Sequence, residues 1–201
     1  MKLSLIRKEE QPVGVWAGGT TTQLAIWPEG ADYASRRFDW RLSSARVELE
    51  ESDFTPLPGF HRILMVLEGA IDLVHEGVRT VHLKAFDQDS FEGAWSTRSF
   101  GRCVDFNLMT GPDWTGTVAP LRVTTFPVVL FQKPADRFEA LYCLCDLALS
   151  AVHSGRVERL SLRSGDFLLM GRGKDKKPCL LFDDVPTSIG ICAILTTIGK
   201  K

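Results

Sequence analysis

The chain has 201 residues, with 24 basic and 25 acidic side chains and a formal charge of −1. This balance excludes the basic face that nucleic-acid binding requires. The longest apolar runs, such as "VVLF" at 128–131, are far too short to cross a bilayer, while the length suffices for one large domain or two small ones.

The opening "MKLSLIRKEEQP" has only a brief apolar run before charges interrupt it, so it reads as neither a secretory leader nor a membrane span. "WAGGTTTQ" (16–23) has paired glycines but lacks the G-K-[ST] ending of a phosphate loop, and β-branched residues follow it. Gly18 and Gly19 instead suit a close backbone approach ahead of a strand, with Trp16 a candidate apolar wall.

Strands are expected at 20–28 and 38–49. In "DWRLSSAR" regular alternation puts Trp40, Leu42 and Ser44 on one face and Arg41, Ser43 and Ala45 on the other. Arg41, beside small residues, suits either a cavity or a surface ion pair. Further strands are expected at 61–68 and 70–76, with breaks at Glu68-Gly69 and His75-Glu76-Gly77, and then at 78–83 and 103–109. Arg62 shares a face with Phe60, Leu64 and Val66. A buried arginine needs a partner, here either Glu68 or Asp105 within the chain or the carboxylate of a ligand. "DFNLM" puts Asp105 and Asn107 on one face with Cys103 and Met109. Asn107 can both donate to and accept from an amide group, or it can satisfy neighbouring backbone.

The Gly-, Pro- and Thr-rich stretch 110–121 reads as a connector between a longer and a shorter half. After it, 137–151 fits either a helix with Phe138, Leu141, Tyr142, Cys145 and Leu149 on one face, or a strand turning at "HSGR" (153–156) to return as 157–162. The strand accounts for more residues, and 166–170 continues the pattern. Asp89-Ser90-Phe91 and Gly165-Asp166-Phe167 hint weakly at an internal duplication. Strands every ten residues or so indicate an all-β sandwich or barrel.

The cysteines (Cys103, Cys143, Cys145, Cys179 and Cys192) form no C-x-x-C and read as reduced thiols in cytosol. Cys143 and Cys145 would share a face of one strand. His61 alternates away from Arg62, and His75 and His153 fall in turns. No histidine pair has metal-ligand spacing, and neither a Ser-His-Asp nor a Cys-His arrangement is visible.

Phe54 to Gly77, "FTPLPGFHRILMVLEGAIDLVHEG", resembles the first motif of the cupin family, two histidines and a glutamate ahead of a glycine. Anchored on Gly69, the motif's metal ligands fall on Thr55, Leu57 and Arg62. "FEGAWS" (91–96) resembles the second motif and puts Ser96 at the last ligand. Such a metal wants several imidazole or carboxylate ligands, and a fixed guanidinium repels it. The resemblance therefore implies a metal-free cavity with its own cation and no cofactor.

"WAGGTTTQLAIWP", "FDWRLSSARVE", "PGFHRILMVLEG", "FEG" and "DFNLM", in that order, resemble the HutD/Ves family. That resemblance implies a cytoplasmic, metal-free bicupin, an all-β chain with two cupin-like jelly-roll barrels. Its HutD branch accompanies bacterial histidine-utilisation genes and is thought to restrain their induction by binding an intermediate such as N-formylglutamate or urocanate. Its Ves branch is stress- or cold-associated.

The expectation is thus an N-terminal barrel over 1–118 with the pocket and a degenerate barrel over 119–201, strands being shared where the barrels require it. Arg62 would hold a small carboxylate, Arg41 would add a second cation, Asn107 would read an amide end, and Asp105 and Ser43 would line the site. Trp16, Trp40 and Phe91 would form apolar walls. Neither nucleic acid nor a membrane is expected as a partner, and a homodimer is left open. A metal-independent enzyme using Asp105 as acid or base, and an interaction protein with a vestigial pocket, are the alternatives.

Overall fold

In the computed structural model, residues 3–122, 129–130, 137–153, 156–171, 179–184 and 190–201 are described. Their β-branched and aromatic residues pair into antiparallel ladders, and no α-helix occurs among them. The chain opens with β1 (Leu3–Ile6) and a 3-10 turn at Lys8–Glu10. There follow β2 (Val13–Trp16), β3 (Gly19–Trp27), β4 (Trp40–Val47), β5 (Glu51–Asp53), β6 (His61–His75), β7 (Arg79–Lys84), β8 (Gln88–Glu92), β9 (Thr97–Phe100) and β10 (Cys103–Thr110). After β11 (Trp114–Leu121) come β12 (Val129–Leu130), β13 (Phe138–Cys143), β14 (Leu147–His153), β15 (Arg156–Leu162), β16 (Phe167–Met170), β17 (Cys179–Asp184) and β18 (Ala193–Lys200).

Two compact units result, one of residues 11–115 and one that joins the first ten residues to 116–200. β1 belongs with the later unit because it pairs with β16, Leu3 opposite Met170 through Ile6 opposite Phe167. Buried Asp166 fastens that junction. It accepts hydrogen bonds from Arg7 Nη1 at 2.6 Å, the Lys8 amide at 3.1 Å and the Arg163 amide at 2.9 Å. Burial works against its charge, but these donors hold its carboxyl below the ordinary value.

In the unit of residues 11–115, a curled sheet runs β2-β3-β4-β10-β6-β9-β5, with β7 and β8 also paired to β6. β6 is the spine. It is one continuous strand of 15 residues, not two meeting at Glu68-Gly69. It pairs with β8 up to Met65 and with β10 up to Gly69, and beyond Gly69 with β7 and β9. Gly69 makes the switch possible at a φ of 82°, where an added Cβ would lie 2.4 Å from the Arg102 carbonyl oxygen. The core beneath it is Val47, Leu64, Val66, Ile71, Leu73, Leu83, Phe91 and Cys103.

The other unit contains a five-stranded sheet, β1-β16-β13-β18-β11, and a four-stranded one, β12-β17-β14-β15. The stretch 110–121 is not simply a connector, since most of it is β11. Pro120 is tolerated there because β11 is an edge strand. Segment 137–151 is neither a helix nor a single strand. β13 is paired on both sides, with β16 and β18, and β14 forms a hairpin with β15, so tertiary pairing overrides the helical periodicity. Cys143 ends β13 and Cys145 lies in the following turn, so they do not share a strand face, yet both enter one apolar core with Leu149, Leu168 and Leu180. Cys103, Cys143, Cys145 and Cys192 are buried; the side chains of Cys179 and His153 lie outside the described residues. No helix of the described residues is long and apolar enough to cross a membrane.

Candidate functional site

Strand register builds the site as three rows across the inner face of β3, β4, β10 and β6. Arg41, Met109 and Arg62 are cross-strand partners in one row; Gln23, Ser43, Asn107 and Leu64 make the next; Thr21, Ala45, Asp105 and Val66 make the third. Side chains opposite one another on adjacent strands point to the same side of a sheet. Two guanidiniums, a carboxyl and a carboxamide therefore converge. They line a cavity of about 580 Å³, a size suited to a small molecule.

Arg62 is 5% exposed and its Nε has no hydrogen-bond partner. Its guanidinium carbon lies 4.8 Å from the centre of the Phe54 ring and 5.3 Å from that of Phe91, so aromatic faces flank it where a carboxylate could have. Burial brings its pKa down to about 10, with Tyr33 and Asp105 opposing the shift. It stays charged at neutral pH. Glu68, one of its expected partners, lies at the surface, 3.9 Å from Arg46. Arg41 is better held. Its Nε donates to Gln23 Oε1 and its Nη1 to Ser43 Oγ, both at 3.0 Å, and its guanidinium carbon sits 4.3 Å from the centre of the Tyr33 ring.

Asp105 is 4% exposed, and its Oδ1 is without a partner, as is Oδ1 of Asn107. Burial pushes the Asp105 carboxyl up to about 7, against the pull of Arg62, the Ala45 amide and Arg41. Buried polar atoms in folded proteins are nearly always hydrogen-bonded. One donor and two acceptors are thus left unpaired and buried among the residues that line one cavity.

Trp16 lines the cavity from β2 and is 37% exposed. Its ring lies over Gly18, where a Cβ would meet it at 2.1 Å. Trp40 is not a wall of the cavity: it is an even-numbered residue of β4, on the face opposite Arg41, and is fully buried there. Phe91 is not a wall either. It belongs to the core and backs Arg62 from beneath. Sequence reasoning missed Tyr33 and Phe54, which complete the arginine cradles; both lie in loops, where alternation gives no face to read.

The four positions matching cupin metal ligands do not fit a metal. Leu57 is buried in an apolar cluster with Phe38, Phe60 and Met109. Ser96 Oγ donates to surface Glu76 at 2.9 Å, and Thr55 and Arg62 line the cavity. Among the described residues no three His, Cys, Asp or Glu side chains are grouped to hold a metal ion.

Two polar constellations lie outside the cavity. His75 is not in a turn but ends β6 with its ring buried. Its Nδ1 is 2.8 Å from Thr97 Oγ1 and its Nε2 is 2.8 Å from Asp89 Oδ2, while Arg79 donates to Asp89 Oδ1 at 2.6 Å. A Ser-His-Glu arrangement also exists that the sequence did not reveal: His61 Nε2 is 2.7 Å from Ser90 Oγ and Nδ1 is 3.0 Å from Glu92 Oε1. It lies exposed across the β6–β8 ladder, whose pairing engages the surrounding backbone. Such a surface supplies no ready oxyanion site.

The whole fold has known counterparts. A conserved protein of unknown function from Pseudomonas aeruginosa PAO1 superposes with a TM-score of 0.79 at 23% identity over 100% of both chains. HutD from Pseudomonas fluorescens SBW25 gives 0.73 at 19% identity, again over 100% of both. The nickel(II)-bound bacterial pirin YhhW from Escherichia coli gives 0.67 at 10%, over 99% of both. No curated protein matches the chain in sequence. These likenesses establish a cupin- and pirin-like β fold, and the family model of HutD matches residues 8–181. The chain belongs to the HutD family.

Proposed function

We propose that this protein is a metal-free bicupin that binds a small carboxylate metabolite in the unit of residues 11–115 and acts as a sensor or governor of histidine utilisation. Membership of the HutD family associates the chain with histidine utilisation. In this reading each unit is one cupin-like barrel, and the unit of residues 116–200 is the degenerate one.

The observation that carries the proposal is Arg62, a buried guanidinium with an unpartnered Nε beside a cavity. A charge taken out of water without a counter-ion is costly, and a ligand carboxylate would accept two parallel bonds from the planar fork. Arg41 supplies a second cation, Asn107 and Ser43 read a polar end, and Trp16 and Tyr33 close over the apolar stem. The cavity is open, which disfavours a vestigial pocket. N-Formylglutamate and urocanate are the ligands of choice. Calorimetric titration of each should give saturable binding, and the absence of heat and of thermal stabilisation with both would sink the proposal.

The enzyme alternative draws on Asp105, whose carboxyl, pushed up to about 7 by burial, matches what acid–base chemistry at neutral pH needs. Incubation of either compound with pure protein separates the readings, since a binding protein returns it unchanged.

A further inference from the structure

Resting on the reading of this cavity as a carboxylate site, we propose that it takes up a dianionic ligand together with one proton, which Asp105 holds. The argument begins with the charges that face Asp105. From β4 comes Arg41, beside neutral Ser43 and Ala45; from β6 comes Arg62, beside neutral Leu64 and Val66; from β3 come Gln23 and Thr21. Along β10, burial and Asp105 push the Cys103 thiol up to about 12, so it stays neutral. Tyr33 offers a phenol from the loop before β4. Asp53 also lines the cavity, but its side chain is 83% exposed and lies 3.4 Å from Arg98, so water and that arginine balance it.

Inside the cavity two cations thus oppose one carboxylate. A monoanion completes neutrality with Asp105 ionised. A dianion exceeds it by one negative charge, unless Asp105 takes a proton from solvent; two cations and two ligand carboxylates then balance. The unpartnered Asp105 Oδ1 gives that proton a use, because a protonated carboxyl becomes a donor toward a ligand oxygen where the ionised form is only an acceptor. Burial already raises this carboxyl to about 7 in the empty cavity, so the proton is easily supplied near neutral pH. A second ligand carboxylate nearby raises it further by like-charge repulsion. The site would then discriminate dicarboxylates from monocarboxylates by pH.

The test uses N-formylglutamate, with two carboxylates, and N-formylglutamine, of nearly the same shape with one. Each is titrated calorimetrically at pH 8 in HEPES and in Tris, buffers of different ionisation enthalpy, so the difference in heat counts protons. Uptake of about one proton is expected with N-formylglutamate and almost none with N-formylglutamine, and the affinity for the former should fall about tenfold per pH unit above pH 7. Asp105→Asn should bind N-formylglutamate without that uptake; the wild-type comparison stands even if this variant does not fold. Binding of N-formylglutamate with equal heats in both buffers overturns the proton linkage and leaves the carboxylate site intact. Equal uptake with both compounds assigns the proton elsewhere and also overturns it. No binding of either compound removes the carboxylate reading, and the linkage with it.

Discussion

Arg41 of β4 and Arg62 of β6 are both cross-strand partners of Met109 on β10, so two guanidiniums flank one uncharged side chain in a single row of the inner face. Adjacent strands lie about 4.8 Å apart, which spaces the two backbone positions by roughly 10 Å. The two cations are not equivalent. Arg41 is tethered by Gln23 and Ser43, whereas Arg62 keeps an open Nε between aromatic faces. Arg62 therefore has more to gain from a ligand.

Arg62→Ala should weaken binding of N-formylglutamate or urocanate by roughly tenfold to a hundredfold, the effect of losing about 1.5–3 kcal/mol in a charge-assisted bond. Arg62→Lys should recover only part, keeping the charge but not the planar fork. Arg102, exposed and 2.9 Å from Glu50, is the control, and its alanine variant should bind as wild type does. Calorimetry on variants shown to be folded makes the comparison. Equal affinity for folded wild type, Arg62→Ala and Arg62→Lys would make Arg62 a structural residue.

Asp105→Asn should stabilise the empty protein, and more so at pH 8 than at pH 5. The carboxyl is raised from about 4 in the unfolded chain to about 7 in the fold, so between these values the folded state holds a proton that the unfolded state has released. Its contribution is fully present below the unfolded value and is lost as pH rises through about 7, by up to about 1.4 kcal/mol per pH unit. Asparagine keeps the shape without the charge. Thermal melts of both proteins from pH 5 to 8 give the test. A gap that stays constant from pH 5 to 8 would mean that Arg62 and Arg41 already hold Asp105 ionised.

Much of this site was legible from alternation alone. Arg41 with Ser43, and Asp105 with Asn107 and Met109, follow from a period of two, and the strands keep it through the rows that form the cavity. The same rule excludes Trp40, because a residue next to Arg41 in a regular strand must point the other way. Assigning it to the wall let aromatic character outweigh parity. Phe91 shows a different limit. It shares the inner side with its partner Arg62, but parity cannot say whether a side chain meets the ligand or lies beneath the residue that does. Tyr33 and Phe54 come from loops, and the His75–Asp89–Arg79 network joins three strands; neither leaves a local signal. The family motifs supplied what periodicity could not, namely that such a sheet curls around a cavity.

Gly69→Ala should destabilise the protein by about 1–3 kcal/mol, the cost of a residue held in a sparsely populated backbone region. Its φ of 82° is combined with a Cβ position 2.4 Å from the Arg102 carbonyl oxygen, so backbone rather than a mobile side chain would have to yield. Gly59 is the comparison. Its φ is 84° with nothing within 4 Å of an added Cβ, so Gly59→Ala carries conformational strain without the clash. Urea denaturation of both variants should place Gly69→Ala below Gly59→Ala. The reverse order would show that β6 can change strand partners without a glycine.

Phe91 should affect ligand binding through Arg62, and a double-mutant cycle tests this. The Phe91 ring centre lies 5.3 Å from the Arg62 guanidinium carbon and 4.6 Å from that of the His75 ring, so the phenyl is packed between the cavity's cation and the buried histidine. Phe91→Leu keeps an apolar side chain in the core and should cost under about 1.5 kcal/mol of stability from the swap itself. It also removes a cation–π face worth about 0.5–2 kcal/mol to a desolvated guanidinium, freeing Arg62 to adopt other rotamers. Ligand affinity should therefore fall, but by less than in Arg62→Ala. In the Arg62→Ala background the Phe91 substitution should have almost no further effect on affinity, because the residue it orients is gone. Coupled residues depart from additivity by about 0.5–3 kcal/mol, beyond the few tenths typical of independent sites. Were the two losses simply to add, Phe91 would be touching the ligand itself, and the cavity would extend deeper than its lining residues indicate.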